Sequence, residues 1–206
     1  MMKSLLIATT NPGKFQELSS LLKDIPIKLI SLKDLNITDK IEEIGKTFEE
    51  NAIIKAKFYQ QLSKLPTLAD DGGLEIDALN GEPGIHSHRW LNHDKDSTDE
   101  ELINYTLHRL NKFPIVKRQA QLTVVLVLAI NQNKIFTAEA KVEGIIPIEA
   151  SNDRMSGYPY RSLLFLPQIK KFYNEFELTE SENKRYNHRR QAIEKLKPAI
   201  INYFIC

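Results

Sequence analysis

Residues 4–22 read SLLIATTNPGKFQELSSLL. Ser4 to Thr9 is a short apolar run that reads as a buried strand, and Asn11-Pro12-Gly13 reads as a turn. From Lys14 onward Phe15, Leu18, Leu21 and Leu22 recur at helical spacing. Strand, turn and helix in that order open an α/β fold.

Working outward, Ile27 to Leu32 reads as a second strand. Thr47-Phe48-Glu49-Glu50 has the pattern of a capping box, in which the Thr oxygen and the Glu carboxylate each satisfy an orphan amide. It is expected to open a helix burying Phe48, Ala52, Ala56, Tyr59 and Leu62. Thr67 to Ala69 reads as a short strand ending in an acidic turn, Asp70-Asp71-Gly72-Gly73. Glu75 to Leu79 and the turn Gly81-Glu82-Pro83-Gly84 follow. Thr98 to Glu101 repeats the capping-box pattern, ahead of a helix with Leu102, Ile103, Thr106, Leu107 and Leu110 inward. Ala120 to Ile130 and Lys134 to Glu143 form a long β-hairpin around Asn131-Gln132-Asn133. A short strand near Ser162 to Phe165 and a final helix after Asn187, containing Pro198, complete the chain. Alternating strands and helices followed by an antiparallel pair predict an α/β fold with a mixed sheet and flanking helices.

Composition narrows the class. The chain has 206 residues, 28 Lys plus Arg against 27 Asp plus Glu, and a net charge of +1. That balance excludes a polycationic nucleic-acid arm or an acidic tail as the main function. Apolar residues are 42% and charged residues 27%, ordinary for a globular protein, and the length suits one domain, residues 1–206, built of two lobes. The single cysteine, Cys206, excludes an intrachain disulfide and a cysteine-based metal site, which points to a reducing cytoplasm. The longest apolar run, Leu122 to Ile130, is far short of the roughly 20 residues that a spanning helix needs. No targeting or membrane segment is expected.

Several segments carry candidate chemistry. Thr9-Thr10-Asn11-Pro12-Gly13-Lys14 sits where strand gives way to helix, a place where free amides and a lysine charge can bind an anion. It lacks the second glycine spacing and the Ser/Thr of a Walker A loop, and taken alone it also fits a Pro-Gly turn with a solvent lysine. Asp70 and Asp71, beside two glycines that allow close backbone approach, could hold Mg²⁺ and orient a water; taken alone they also fit a hairpin turn. Glu42 and Glu43 are a second acidic pair. Asn187-His188-Arg189-Arg190 places cations at a helix N-terminus, against the macrodipole, which makes sense where an anion binds between them. His86, His88 and His93 lack both the i, i+4 spacing and the cysteine that a zinc site would show.

Taken together and in order, four segments resemble the inosine triphosphate pyrophosphatase family, the non-standard purine NTP pyrophosphatases. They are Ala8 to Lys14; Thr47 to Ala52 with Lys55-Ala56-Lys57; Leu68 to Leu74; and Leu79-Asn80-Gly81-Glu82-Pro83-Gly84-Ile85. The similarity covers nearly the whole chain. It implies an elongated α/β body with two lobes around a central nucleotide cleft, and a homodimer. It implies Mg²⁺-dependent hydrolysis of nucleoside triphosphates between the α and β phosphates, giving a monophosphate and pyrophosphate. By position, Thr9, Thr10, Asn11, Pro12, Gly13 and Lys14 would cradle the phosphates and Lys55 would add charge. Asp71 would be the catalytic carboxylate and a metal ligand, with Glu42 as its acidic metal partner and Glu43 close behind. Gly72, Tyr158, His188 and Arg189 would complete the substrate contacts.

The family pattern Phe-Gly-Tyr-Asp-Pro is replaced by Ser156-Gly157-Tyr158-Pro159-Tyr160, so the base-stacking aromatic and the base-reading aspartate are missing. Asn183 stands where the family has a lysine, with Lys184 one place late, and Asn187 replaces the serine of the Ser-His-Arg element. A nucleotide-binding or regulatory relative with altered substrate or lost turnover is the alternative, against which the intact Asp71, Lys14 and Lys55 argue. No nucleic-acid or membrane partner is expected.

Overall fold

Strand β1 (Ser4–Ile7) lies between β2 (Lys28–Ser31) and β3 (Thr67–Ile76) and runs parallel to both. Leu5, Leu6 and Ile7 are fully buried, as expected for a parallel strand covered on both faces. The coordinates are a computed structural model describing residues 3–92 and 95–205; His93 and Cys206 lie outside the described residues. The sheet continues through β4 (Gln119–Ala129), β5 (Ile135–Ile145), β6 (Phe165–Leu166) and β7 (Lys171–Phe172), in the order β2-β1-β3-β4-β5-β6-β7. β5–β6 and β6–β7 pair antiparallel, so the sheet is mixed, as the order of elements predicted.

Five α-helices accompany the sheet: α1 (Pro12–Leu21), α2 (Phe48–Ser63), α3 (Asp99–Leu110), α4 (Glu180–Tyr186) and α5 (His188–Phe204). The described residues fall into two compact units, one from Met1–Asp71, Val124–Ala140 and Arg189–Cys206, the other from Gly72–Thr123 and Lys141–His188. In the first, α1 and α5 close a core over the sheet from Leu5, Ile7, Leu18, Leu22, Leu68, Leu126, Ile193 and Leu196. In the second, Leu102, Ile103 and Leu110 of α3 pack with Leu74, Ile76, Leu122, Leu164 and Tyr173.

Local structure departs from the sequence expectations at specific places. Pro12 and Gly13 form the first turn of α1 rather than a separate turn: Pro12 occupies a position whose missing N–H costs nothing, and Asn11 is the N-cap. Thr47 accepts from the Glu50 amide, but the Glu50 carboxylate turns to the Lys46 amide at 2.6 Å, so the box at α2 is half formed. The box at Thr98–Glu101 is complete. Leu62, expected in the buried stripe of α2, is exposed. Asp70-Asp71-Gly72-Gly73 is not a turn: β3 runs straight through it. Gly73 is needed for close packing, since a Cβ there would meet Ser87 Oγ at 2.0 Å and the Gly84 carbonyl at 2.7 Å. Ser162 ends a 3₁₀ turn, Pro159–Ser162, and the strand begins only at Phe165. The helix α4 escaped the sequence reading, although Thr179 and Glu182 form a complete capping box.

Candidate active site

Within the first unit, three helices and the segment carrying Glu43 bring charged groups to the middle of β3. Lys14, in the first turn of α1, places Nζ 3.0 Å from Asp70 Oδ2. Arg189, at the start of α5, reaches Asp70 Oδ2 at 3.4 Å and Glu17 Oε2 at 3.5 Å. Lys55, midway along α2, lies 2.8 Å from Glu43 Oε1 and 3.6 Å from Asp71 Oδ1, and donates to the Asp70 carbonyl at 3.0 Å. These ion pairs join three cations to four carboxylates. Asp70, Asp71 and Arg189 are buried and the other four are half-buried, so removing one partner of a pair here costs more than it would at the surface.

The two neighbouring aspartates respond oppositely. Burial would raise the Asp70 carboxyl, but Lys14, Arg189 and Lys55 outweigh it and hold the group well below the usual carboxylate range. Asp71 is pushed up to about 6, first by burial and then by Glu43 and Asp70, with Lys55 and Lys14 only partly compensating. Lys55 would be lowered by burial, yet Asp71, Glu43 and Asp70 raise it, so it stays charged. Asp71 Oδ2 is buried and makes no hydrogen bond. A buried carboxylate oxygen in that state is uncommon in proteins.

Where the sequence expected free helix-start amides, the structure has capped ones. Asn11 Oδ1 accepts from the Gly13 amide at 2.9 Å and the Lys14 amide at 3.2 Å, and Thr9 Oγ1 accepts from the Asn11 amide at 3.2 Å. An N-cap side chain uses the donors that an anion would otherwise take, so the Lys14 ammonium is the group of this segment positioned for charge pairing. Thr10 and Pro12 are exposed. Glu43, not Glu42, reaches Lys55, while Glu42 is exposed. Glu17 was missed by the sequence reading, although its place three residues after Lys14 on one helix face was the available signal.

The remaining expected residues belong to the second unit. Gly72 continues β3. His188 is buried, with Nδ1 2.7 Å from the Tyr173 hydroxyl, and its backbone amide donates to that hydroxyl at 3.3 Å. Tyr158 is half-buried beneath the Arg161 guanidinium, 4.3 Å from its ring centre. Asn183 accepts from the Asn187 side chain at 3.2 Å. Ser156, Tyr158 and Pro159 line a recess of about 290 Å³ with Asp99, Glu100 and Ile103. Tyr160 points elsewhere and donates to the Ser87 carbonyl at 2.5 Å. Arg161 and Tyr173 were not singled out by sequence, because nothing local marks an arginine that will approach two rings in the fold.

Among the described residues no group of three or more His, Cys, Asp or Glu side chains could hold a metal ion, and no helix is long and apolar enough to cross a membrane.

The site sets paired aspartates of an interior strand of a mixed α/β sheet against two lysines and an arginine, and comparison with known proteins places this fold. The chain belongs to the Ham1 family, which it matches over residues 5–199. A relative from Salmonella paratyphi A, named dITP/XTP pyrophosphatase, is 36% identical over 203 residues, covering 98% of this chain and all of the relative. One from Clostridium perfringens with the same name is 37% identical, covering 95% of this chain and 96% of the relative. The solved structure of a Ham1 protein from Coxiella burnetii superposes with a TM-score of 0.84 at 34% identity, over 98% of this chain and 100% of that one. The mixed α/β architecture is that of Ham1 structures.

Proposed function

We propose that this chain is a Mg²⁺-dependent nucleoside triphosphate pyrophosphohydrolase. It cleaves between the α and β phosphates of non-standard purine nucleotides such as ITP, dITP or XTP, giving the monophosphate and pyrophosphate. The observation that carries the proposal is Asp71: a buried carboxylate pushed up to about 6, with an oxygen free of hydrogen bonds, beside the Lys55 ammonium. Two relatives named dITP/XTP pyrophosphatase at 36% and 37% identity support the substrate class.

The residues fit a hard divalent cation. Asp71 Oδ2 lacks a partner, and Glu43 shares Lys55 with Asp71, so two carboxylates are available. Mg²⁺ commonly takes only one or two protein carboxylates and fills its shell with water and phosphate oxygens, which agrees with the small donor set. Charge gives a second reason: four carboxylates already outnumber the three cations, so a polyanionic triphosphate needs added positive charge to bind there. Asp71 would hold the ion with Glu43, the acidic neighbour that reaches Lys55, or with Glu42 beside it. Bound there, Mg²⁺ would supply charge neutralisation of the phosphates.

The chain's own groups then divide the work. Lys14 and Lys55 exchange part of their pairing with Asp70, Asp71 and Glu43 for phosphate oxygens. Thr9, Thr10, Asn11, Pro12 and Gly13 form the strand-to-helix turn beside the phosphates. Asp71, with one oxygen free of protein hydrogen bonds, takes a proton from the attacking water. Asp70 stays charged and fixes Lys14 and Arg189. Gly72, Tyr158 and His188 contribute substrate contacts from their own unit. A homodimer in the cytoplasm belongs to the same proposal.

The test is a nucleotide panel with Mg²⁺ in which pyrophosphate and orthophosphate are measured separately. Pyrophosphate from ITP, dITP or XTP is expected. Orthophosphate release would indicate a different cleavage, and binding without release would favour the regulatory alternative.

A further inference from the structure

We propose that Arg161 is a positioning residue: with its guanidinium over the ring of Tyr158 and that of Tyr173, it fixes Tyr158 as a platform for a purine base. The proposal rests on the nucleotide-hydrolysing function given above.

The guanidinium of Arg161 lies 4.3 Å from the Tyr158 ring centre and 5.2 Å from that of Tyr173. Arg161 is 6% exposed and Tyr173 2%, whereas Tyr158 is half-buried and lines the recess with Ser156 and Pro159. The buried cation thus contacts both a half-buried ring and a buried one. Beyond it Tyr173 meets His188, ring centres 5.5 Å apart, and Oη is 2.7 Å from Nδ1.

A buried arginine costs desolvation that a leucine or methionine would avoid, so its presence calls for a task that an apolar residue cannot perform. A planar, weakly hydrated guanidinium can stack on two aromatic faces at once, which an ammonium cannot. The hairpin β6–β7 anchors Tyr173: its amide donates to the Leu164 carbonyl at 2.8 Å, and Phe165 and Phe172 face each other in register. One face of Tyr158 is covered by the cation, and a flat base stacks on an aromatic face with little dependence on its identity. An aromatic platform held from behind offers shape and surface to a purine without reading its edge.

The test compares wild type, Arg161→Met and Arg161→Lys as full chains with ITP and Mg²⁺. Arg161→Met should raise KM for ITP about tenfold, the scale of one lost contact, with kcat within about threefold and the affinity for free pyrophosphate unchanged. Arg161→Lys keeps the charge but loses the plane, and should raise KM a few-fold; it remains informative where the methionine variant does not fold. In a Tyr158→Leu background the Arg161 substitutions should have no further effect on KM. An unchanged KM in Arg161→Lys, additive effects with Tyr158→Leu, or equal weakening of pyrophosphate would overturn the proposal. Binding of inosine monophosphate, followed calorimetrically in the same variants, reports on Arg161 independently of turnover. A wild type that binds the monophosphate but releases no pyrophosphate defeats the function and leaves the positioning role standing.

Discussion

Asp70 and Asp71 are separated by one peptide bond on β3, yet their carboxyls are driven in opposite directions. Asp70 is held well below the ordinary range by Lys14, Arg189 and Lys55, and Asp71 is pushed up to about 6 by burial, Glu43 and Asp70. Environments that push two carboxyls apart allow neighbouring groups to take different roles, one permanently ionised and one able to exchange a proton near neutrality. The permanently charged member fixes two cations; the raised member has the basicity that a general base requires.

Asp71→Asn is expected to lower pyrophosphate release at least about a hundredfold, the low end for removal of a general base. The same variant should gain stability. A raised carboxyl binds its proton more tightly in the folded state, so stability declines as pH rises from about 4 to about 6 and remains reduced above. Without Mg²⁺ at pH 7, removing that charge should gain roughly 1–3 kcal/mol, and the gain should vanish near pH 4. Urea unfolding across pH, with and without the substitution, measures it.

For Asp70 the sign is reversed. A depressed carboxyl contributes stability that is present above about pH 4 and lost as pH falls through its folded value. Asp70→Asn removes the carboxylate paired with Lys14 and one of the two paired with Arg189, and should cost about 3 kcal/mol at pH 7. A cost below about 1 kcal/mol in urea unfolding would show that the two cations find other partners.

Lys14→Ala and Lys55→Ala should each weaken binding of ITP more than binding of inosine, because a point charge facing phosphate is removed. Direct titration of both ligands decides this. Equal effects on the two would place both lysines away from the phosphates.

Base selectivity should be modest. A site rejects a wrong base strongly when buried polar groups must pair with its edge, and weakly when it only fits shape. The recess beside Tyr158 has two carboxylates in its lining, and both are engaged: Asp99 accepts from the Gly157 amide at 2.7 Å, and Glu100 from Arg154 at 2.6 Å. Pro159 offers no side-chain donor or acceptor. The kcat/KM ratio of ITP to ATP and GTP is expected to stay below roughly a thousandfold, and a larger ratio would mean that other residues read the base.

Much of the fold follows from local sequence. Leu5 to Ile7 are apolar on consecutive positions and lie in the covered parallel strand β1; Phe15, Leu18 and Leu21 repeat at helical spacing and lie on α1; Thr98 and Glu101 cap α3 as their spacing requires. The hairpin around Asn131 forms where two β-rich runs meet a turn, with Asn131 Oδ1 taking the Asn133 and Lys134 amides at 2.9 Å. Such features depend on neighbours within a few residues, so composition and spacing suffice. Other features depend on groups distant in the chain. Asp70-Asp71-Gly72-Gly73 has the local signature of a turn, but Lys14, Lys55 and Arg189 neutralise the aspartates while Ser87 packs on Gly73, and β3 continues. The pairing of Lys55 with Glu43 rather than Glu42, the opposite pKa shifts of Asp70 and Asp71, and the approach of Arg161 to the rings at 158 and 173 likewise arise from tertiary proximity. Electrostatic and stacking energies depend on distance and burial in space, and no local pattern of residues encodes either.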